Sequence, residues 1–253
     1  MTPTGYDGPA ESRSETPAPQ GGAAAGGQAG PAKGRAVKQR ARHEFESWAR
    51  TYDRSIVQHV LFRPAYQLLL EELFRWRCAD DEPFDMLDVG SGTGSWAAMV
   101  AASSLPAGNI IGLDYAESMC RVAQEKAQSI EQHALRFLNG DSEHLPFSDA
   151  SFDLVTCSHS FHHYPHQRVV IGEMYRVLRP GGRLMLLDGF RDNIIGWFVF
   201  DVLITRGESL PGAKVFHPPW STIREYFEHA GFRNIRQRKC NIWAPLLLTI
   251  GVA

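Results

Sequence analysis

The chain has 253 residues with a formal net charge of -2, ample length for one large core and too little positive charge for a protein held to nucleic acid by bulk electrostatics. Cys78, Cys120, Cys157 and Cys240 are scattered without C-x-x-C spacing, so neither a zinc site nor a disulfide framework is expected. No segment reaches the roughly 18 apolar residues of a spanning helix, and the first residues lack the apolar stretch of a signal peptide, so a cytoplasmic location is expected.

Residues 1–34 are dominated by Gly, Ala and Pro and contain no Leu, Ile, Val, Phe or Trp. Such a composition cannot bury enough apolar area to offset its ordering entropy, which predicts a disordered tail over 1–42. Its basic end, Lys33, Arg35, Lys38, Arg40 and Arg42, reads as a solvated cluster, with contact to anionic lipid or RNA as the alternative. The folded domain is expected over 43–253, beginning near Glu44. Phe45, Trp48, Ala49 and Tyr52 fall at i, i+3, i+4 and i+7 and make one apolar helix face. A second helix follows Pro64, with Tyr66, Leu69, Leu70, Leu73 and Phe74 on its stripe. Together they give a helical unit over 43–78.

A strand over 84–89 then runs into Gly90, Gly92 and Gly94, and a helix is expected from Gly94 to about Leu105. Residues without side chains let the backbone turn tightly and let a ligand approach the main chain and the free N–H groups of the helix. Ser95 stands where a dinucleotide fingerprint would continue with its third glycine, which disfavours a nicotinamide-dependent dehydrogenase. The next strand, 109–114, ends in Asp114. Consecutive parallel strands deliver their carboxyl ends to one edge, so Asp114 should lie beside the glycine loop and can accept both hydroxyls of a ribose; a helix N-cap is the alternative. Further strands over 135–139, 152–158, 183–188, 234–241 and 243–252 complete an α/β sheet. The last two are too close in sequence for a crossover helix and must form a hairpin, giving one antiparallel strand. Between them and the fifth strand, 193–204 is apolar and aromatic, suited to a lid over a hydrophobic acceptor, a membrane-surface contact or a buried helix. Ser221 is the expected N-cap of the last helix and Gly231 its terminator.

Several of these segments, in order, resemble the class I S-adenosylmethionine-dependent methyltransferases. Leu87-Asp88-Val89-Gly90-Ser91-Gly92-Thr93-Gly94 is similar to the family's first motif, and Gly112-Leu113-Asp114-Tyr115-Ala116-Glu117-Ser118-Met119 to its ribose-binding segment. Asn139-Gly140-Asp141-Ser142-Glu143-His144-Leu145-Pro146-Phe147 resembles the adenine-binding segment, and Leu178-Arg179-Pro180-Gly181-Gly182 the turn before the fifth strand. The Leu-Pro-Phe and Leu-Arg-Pro-Gly-Gly elements look most like the ubiquinone and menaquinone biosynthesis branch. The resemblance implies a doubly wound, mostly parallel seven-stranded Rossmann-like sheet with one antiparallel strand and an N-terminal helical cap. Its parts would be a cofactor-binding core over 84–189, an acceptor lid over 190–220 and a last helix and hairpin over 221–253. S-adenosylmethionine is the implied cofactor, bound by Tyr52, Asp88, Gly90, Ser91, Gly92, Gly94, Asp114, Tyr115, Met119, Asp141, Ser142 and Ser158. In that reading Asp88 faces the methionine ammonium, or instead orders the glycine loop; Asp114 takes the ribose and Asp141 the adenine amino group.

After the fourth strand, His159, His162 and His163 cluster with Ser160, Phe161 and Tyr164. A histidine takes a proton near neutral pH, so one of the three is a candidate general base toward a phenol or enol, with a structural hydrogen bond as the other role. No metal is expected, because transfer from a sulfonium needs none and adjacent histidines rarely aim at one ion. The expected activity is methyl transfer to a small apolar or aromatic acceptor, quinone-precursor C-methylation being the leading case. O- or N-methylation of another metabolite and a non-catalytic cofactor-binding protein are the alternatives. The missing Asn/Asp-Pro-Pro-Tyr/Phe segment speaks against methylation of exocyclic amino groups of bases.

Overall fold

The computed structural model describes residues 31–52, 62–77, 82–128, 135–189, 217–241 and 245–253. Two helices, α1 (Pro31–Tyr52) and α2 (Arg63–Arg77), precede β1 (Phe84–Val89), α3 (Ser95–Ala101), β2 (Ala107–Asp114), α4 (Glu117–Gln128) and β3 (Leu135–Asn139). The second half runs β4 (Phe152–Ser158), a 3-10 turn (Phe161–His163), α5 (Gln167–Val177), β5 (Leu178–Gly189), α6 (Trp220–Ala230), β6 (Arg233–Asn241) and β7 (Pro245–Val252).

The seven strands pair in the order β3-β2-β1-β4-β5-β7-β6. β1 to β5 are parallel to one another, and β7 runs antiparallel to both β5 and β6. Hairpin closure explains that reversal, since only three residues separate β6 from β7. The central strands are buried almost end to end, as parallel strands covered on both faces must be. Alternate residues feed two cores. Met86, Leu154 and Leu187 pack with α2, α3 and α4, whereas Leu87, Val155 and Leu186 pack with α5 and α6. At one edge, β6 exposes Arg233, Arg236, Arg238 and Lys239, charges that discourage a further strand from pairing there.

The order reverses beside β1: β2 lies on one side and β4 on the other. In such sheets the crevice outside the carboxyl ends at the reversal point is where ligands bind, which directs attention to the residues following Val89, Asp114 and Ser158.

Four boundaries differ from expectation for visible reasons. Helix α1 begins at Pro31, so the cluster expected in a solvated tail lies on a helix that packs on α4 through Ala49, Ala116 and Met119. Helix α3 stops at Ala101 because the Ser103 hydroxyl donates to Val100 O at 2.6 Å and accepts from Leu105 N, drawing the chain out of the helix. Strand β5 starts at Leu178, so the Arg179-Pro180-Gly181-Gly182 segment is held in the sheet; Gly181 N–H donates to Ala253 O at 3.0 Å and Ala253 N–H to Gly182 O at 2.9 Å. Ser221 lies inside α6, whose N-cap is Pro219, the Ile223 N–H reaching back to the Pro219 carbonyl at 3.2 Å. Gly231, by contrast, ends α6 as expected, in the left-handed region at φ 106°. The side chains of Trp48 and Tyr52, Trp243 and the whole stretch expected as an acceptor lid up to residue 216 lie outside the described residues. Among the described residues, no helix is long and apolar enough to cross a membrane.

Candidate active site

A cleft of about 950 Å3, counting the space open to solvent, lies at the reversal point. That is within the range of roughly 300–1,000 Å3 usual for small-molecule sites. Its wall includes Gly90, Ser91, Gly92, Asp114, Tyr115, Met119, Asp141, Ser142 and Ser158 of the expected cofactor set, together with His159 and His163. Ser160 and Tyr164, expected only as neighbours of the histidines, are on the wall as well; sequence reading missed Thr93, Ser95 and Tyr66 as wall residues, and it missed the contribution of α1 through Lys38, Arg42 and Phe45.

The glycine loop needs its glycines for distinct reasons. All three have positive φ, 72° at Gly90, 53° at Gly92 and 73° at Gly94. A side chain at Gly90 would collide with the hydroxyls of Ser160 and Tyr164, and one at Gly94 with the Phe137 ring, whereas above Gly92 nothing lies within 4 Å. Gly94 is thus a packing position, off the cleft wall, and Gly92 presents bare main chain to free space. The N–H groups of Gly90 and Ser91 both donate to Leu113 O, at 2.8 and 3.1 Å, tying the loop to β2.

Asp114 fixes the loop from the side. Its Oδ2 accepts the Gly92 N–H and its Oδ1 the Ala116 N–H, each at 2.8 Å. Burial pushes this carboxyl above the ordinary carboxylate range, opposed by the N–H groups of Ala116, Gly92 and Tyr115. Each oxygen has a second lone pair for a ligand hydroxyl. Asp88 does not hold the loop: it is 1% exposed, and its hydrogen bond comes from Thr156 Oγ1 at 2.8 Å, which in turn accepts Trp96 Nε1 at 3.1 Å. Burial, with the nearby Asp114 charge, raises Asp88 to about 7. It is absent from the cleft wall, and the loop-ordering role considered for it belongs to Asp114. The reason is register: Asp88 pairs with Thr156 across β1 and β4, one residue short of the strand end.

Asp141 lies beyond β3. Both its oxygens accept from Lys38 Nζ, at 2.9 and 2.8 Å, and Oδ1 also takes the Glu143 N–H at 3.0 Å. The Arg42 guanidinium lies 5.9 Å from the centre of the Tyr115 ring.

The three histidines separate into different environments. His159 turns the chain out of β4 at φ 54°, a conformation costly for a side-chain-bearing residue. Its ring sits 4.3 Å from Phe62 and 6.1 Å from Tyr66, and its Nε2 is buried without a hydrogen-bond partner. Burial lowers it to about 4. His163 packs edge-on against Phe45 at 5.0 Å, and burial holds it well below its ordinary value. His162 is different: its Nδ1 donates to Asp188 Oδ1 at 2.6 Å and its backbone N–H to Oδ2 at 2.9 Å. Burial alone would raise Asp188, but the charge and hydrogen bond of His162, with His217 and His159 nearby, hold it well below the carboxylate range. His162 is off the cleft wall, stacked on His217 at 4.7 Å. His162, Asp188 and His217 each offer a metal-ligand atom within 4.8 Å of the others. The facing atoms of His162 and Asp188 are spent on each other, however, and Asp188 Oδ1 also accepts the Gly189 N–H at 2.7 Å.

A family model described as a methyltransferase domain matches residues 87–186. The chain is 34% identical over 213 residues to the demethylmenaquinone methyltransferase of Listeria monocytogenes, covering 76% of this chain and 86% of the relative. It is 29% identical over 228 residues to the protein of the same name from Staphylococcus aureus, covering 82% and 90%. Among solved structures, a SAM-dependent methyltransferase from Aquifex aeolicus superposes with a TM-score of 0.61 at 19% identity, covering 81% of this chain and 97% of that one.

Proposed function

Because the chain belongs to the class I S-adenosylmethionine-dependent methyltransferases, transferring a methyl group to a small acceptor, we propose that its acceptor is the ring of a quinone precursor and that the methyl is placed on carbon. The observation that carries this reading is the histidine end of the cleft: His159, kept neutral by burial and with an unpartnered Nε2, packs beside the neighbouring aromatic rings of Phe62 and Tyr66. A wall that carries Phe45, Tyr66 and Tyr164 around that imidazole suits a flat hydroxylated ring better than a charged amine. The curated relatives carry a quinone precursor in their name.

The residues fit the cofactor: the open space over Gly92, the buried unpartnered Ser91 Oγ and the spare lone pairs of Asp114 are the features such a ligand would meet. When bound, S-adenosylmethionine supplies an already activated methyl on a sulfonium. We assign the ribose hydroxyls to Asp114, the adenine amino group to Asp141, and the methionine part to the main chain of Gly90 and Gly92. Ser91, Tyr115, Met119, Ser142 and Ser158 line the remaining wall. Asp88 acts from behind, holding Thr156 and through it Trp96.

The work left to the protein is alignment in a site shielded from water. His159 Nε2 accepts the hydroxyl proton of the acceptor as the S–CH3 bond breaks and the ring carbon forms the new C–C bond; the displaced ring proton leaves to solvent and the imidazolium returns its proton to the ring oxygen. Burial favours neutral imidazole, so His159 is in the proton-accepting form at pH 7. His162 stays with Asp188 as a buried support. Cytoplasmic location and a lipophilic acceptor belong to the same proposal.

The test is transfer of labelled methyl from S-adenosylmethionine to a panel of reduced demethylated quinones, catechols and amines, with the product located by NMR. The expected product carries the label on a ring carbon of the quinol. Label confined to oxygen or nitrogen would overturn the acceptor assignment.

A further inference from the structure

One face of α1 runs through Gly34, Lys38, Arg42, Phe45 and Ala49, spaced by four, four, three and four residues, and its first three members are ones that no apolar pattern would select. Gly34 packs so closely on the His166 ring, beside the start of α5, that a side chain there would collide with it. One turn later, Lys38 Nζ meets both oxygens of Asp141 and lies 2.7 Å from Glu143 Oε2. Glu143 is held from its other oxygen by His166 Nδ1 at 2.9 Å. Lys38, Arg42 and Phe45 then line the cleft, and Ala49 is buried against α4. The Lys38 and Glu143 side chains are 13% and 9% exposed and that of Asp141 is 34% exposed, so Lys38 and Glu143 are largely shielded from water and salt while Asp141 keeps an open side.

We propose that Lys38 is a positioning residue of the cofactor site, clasping α1 over the cleft by holding the Asp141 carboxylate from one side while the cofactor uses the other. The inference rests on the assignment of Asp141 to the adenine end. A lysine at that place removes one orientation of freedom from Asp141, and it ties the only helix N-terminal to α2 among the described residues to the sheet edge. Ligand release then requires the clasp to open, because the wall that Lys38, Arg42 and Phe45 provide is part of what encloses the ligand. A hydrogen-bonded charge pair whose lysine is shielded from water acts chiefly on dissociation rates.

The experiment measures association and dissociation rates of S-adenosylhomocysteine by stopped flow with the full chain, for wild type, Lys38→Met, Lys38→Arg, Asp141→Asn and the double variant Lys38→Met/Asp141→Asn. Lys38→Met is expected to release the ligand about ten times faster with little change in melting temperature, and Lys38→Arg to restore most of the wild-type rate. The double variant should be no worse than the worse single one, since both changes open the same clasp. If Asp141→Asn alone leaves binding unchanged while Lys38→Met speeds release, the adenine assignment fails and the clasp stands through Glu143. Release from Lys38→Met within twofold of wild type overturns the proposal, as does a double variant whose losses add in full.

Discussion

At one end of the cleft the polar groups are carboxylates and main-chain N–H groups already bonded to one another, Asp114 to Gly92 and Ala116, and Asp141 to Lys38 and Glu143. At the other end they are imidazoles among aromatic rings, and the one on the wall with an unpartnered nitrogen is His159. The first end is preorganised for a ligand of fixed shape, because its acceptors are locked before any ligand arrives. The second is preorganised by desolvation: burial keeps His159 and His163 neutral without a partner to hold them. Recognition and chemistry therefore fail separately when damaged, and substitutions can be sorted by which end they disable.

The largest effect is expected from Asp114→Ala. Loss of two hydroxyl bonds to a carboxylate, each worth about 1.5–3 kcal/mol, should weaken cofactor binding by 100-fold or more in calorimetry. An unchanged dissociation constant in a folded variant would make Asp114 a structural brace of the loop and nothing else.

His162→Ala should act on stability instead. It strips the Asp188 carboxylate, 5% exposed, of its imidazole hydrogen-bond partner, and leaving a buried acceptor unsatisfied costs about 1–3 kcal/mol, visible as a drop in denaturation midpoint. A variant as stable as wild type with no turnover would instead place His162 in the chemistry.

His159→Ala is expected to lower kcat by roughly 100-fold while cofactor affinity stays near normal. If kcat is retained, alignment alone carries the reaction and the two ends of the cleft are less distinct than their geometry indicates.

Stability should also bend with pH in opposite senses at two buried groups, one on the cleft wall and one behind it. His159 is lowered from 6.5 to about 4 by burial, so its contribution is complete above 6.5 and is lost as pH falls toward 4. Asp88 is raised from 3.8 to about 7, so its contribution is complete below 3.8 and is lost as pH rises through 7. Asp88→Asn, which keeps an acceptor for Thr156, should therefore melt progressively higher than wild type between pH 4 and 7. A constant difference across that range would show that Asp88 is not held neutral by burial.

The smallest effect separates two glycines. Both have positive φ, but a side chain at Gly90 meets Ser160 and Tyr164, while Gly92 opens to free space. Gly92→Ala should cost only about 1 kcal/mol of stability, the price of left-handed backbone for an alanine, whereas Gly90→Ala should cost more. Equal melting temperatures would mean that Ser160 and Tyr164 move aside freely.

Much of this was legible in the chain. The strand ends at Val89, Asp114 and Ser158 follow from short apolar runs that stop at glycine or at polar residues, and the parallel rule alone puts those ends on one edge. The last hairpin followed from a connection too short to cross the sheet. Helix α1 was legible only over its second half, because periodicity detects apolar faces and the first half of α1 makes its contacts through Gly34 on His166 and through Lys38 and Arg42 on the cleft.

What the sequence determined by itself is the order of elements and the presence of Gly90, Gly92, Asp114 and Asp141 at the carboxyl edge, because local pattern and chain connectivity suffice for both. What only the tertiary structure decided is which of several equivalent residue types does what. Asp88 and Asp114 are both strand-end carboxylates, yet only Asp114 reaches the loop; His159, His162 and His163 lie within five residues, yet one is unpartnered, one is bonded to Asp188 and one packs on Phe45. Those differences come from groups 22 to 118 residues away in sequence, met only when the sheet closes and α1 folds back across it, and no local pattern carries that information.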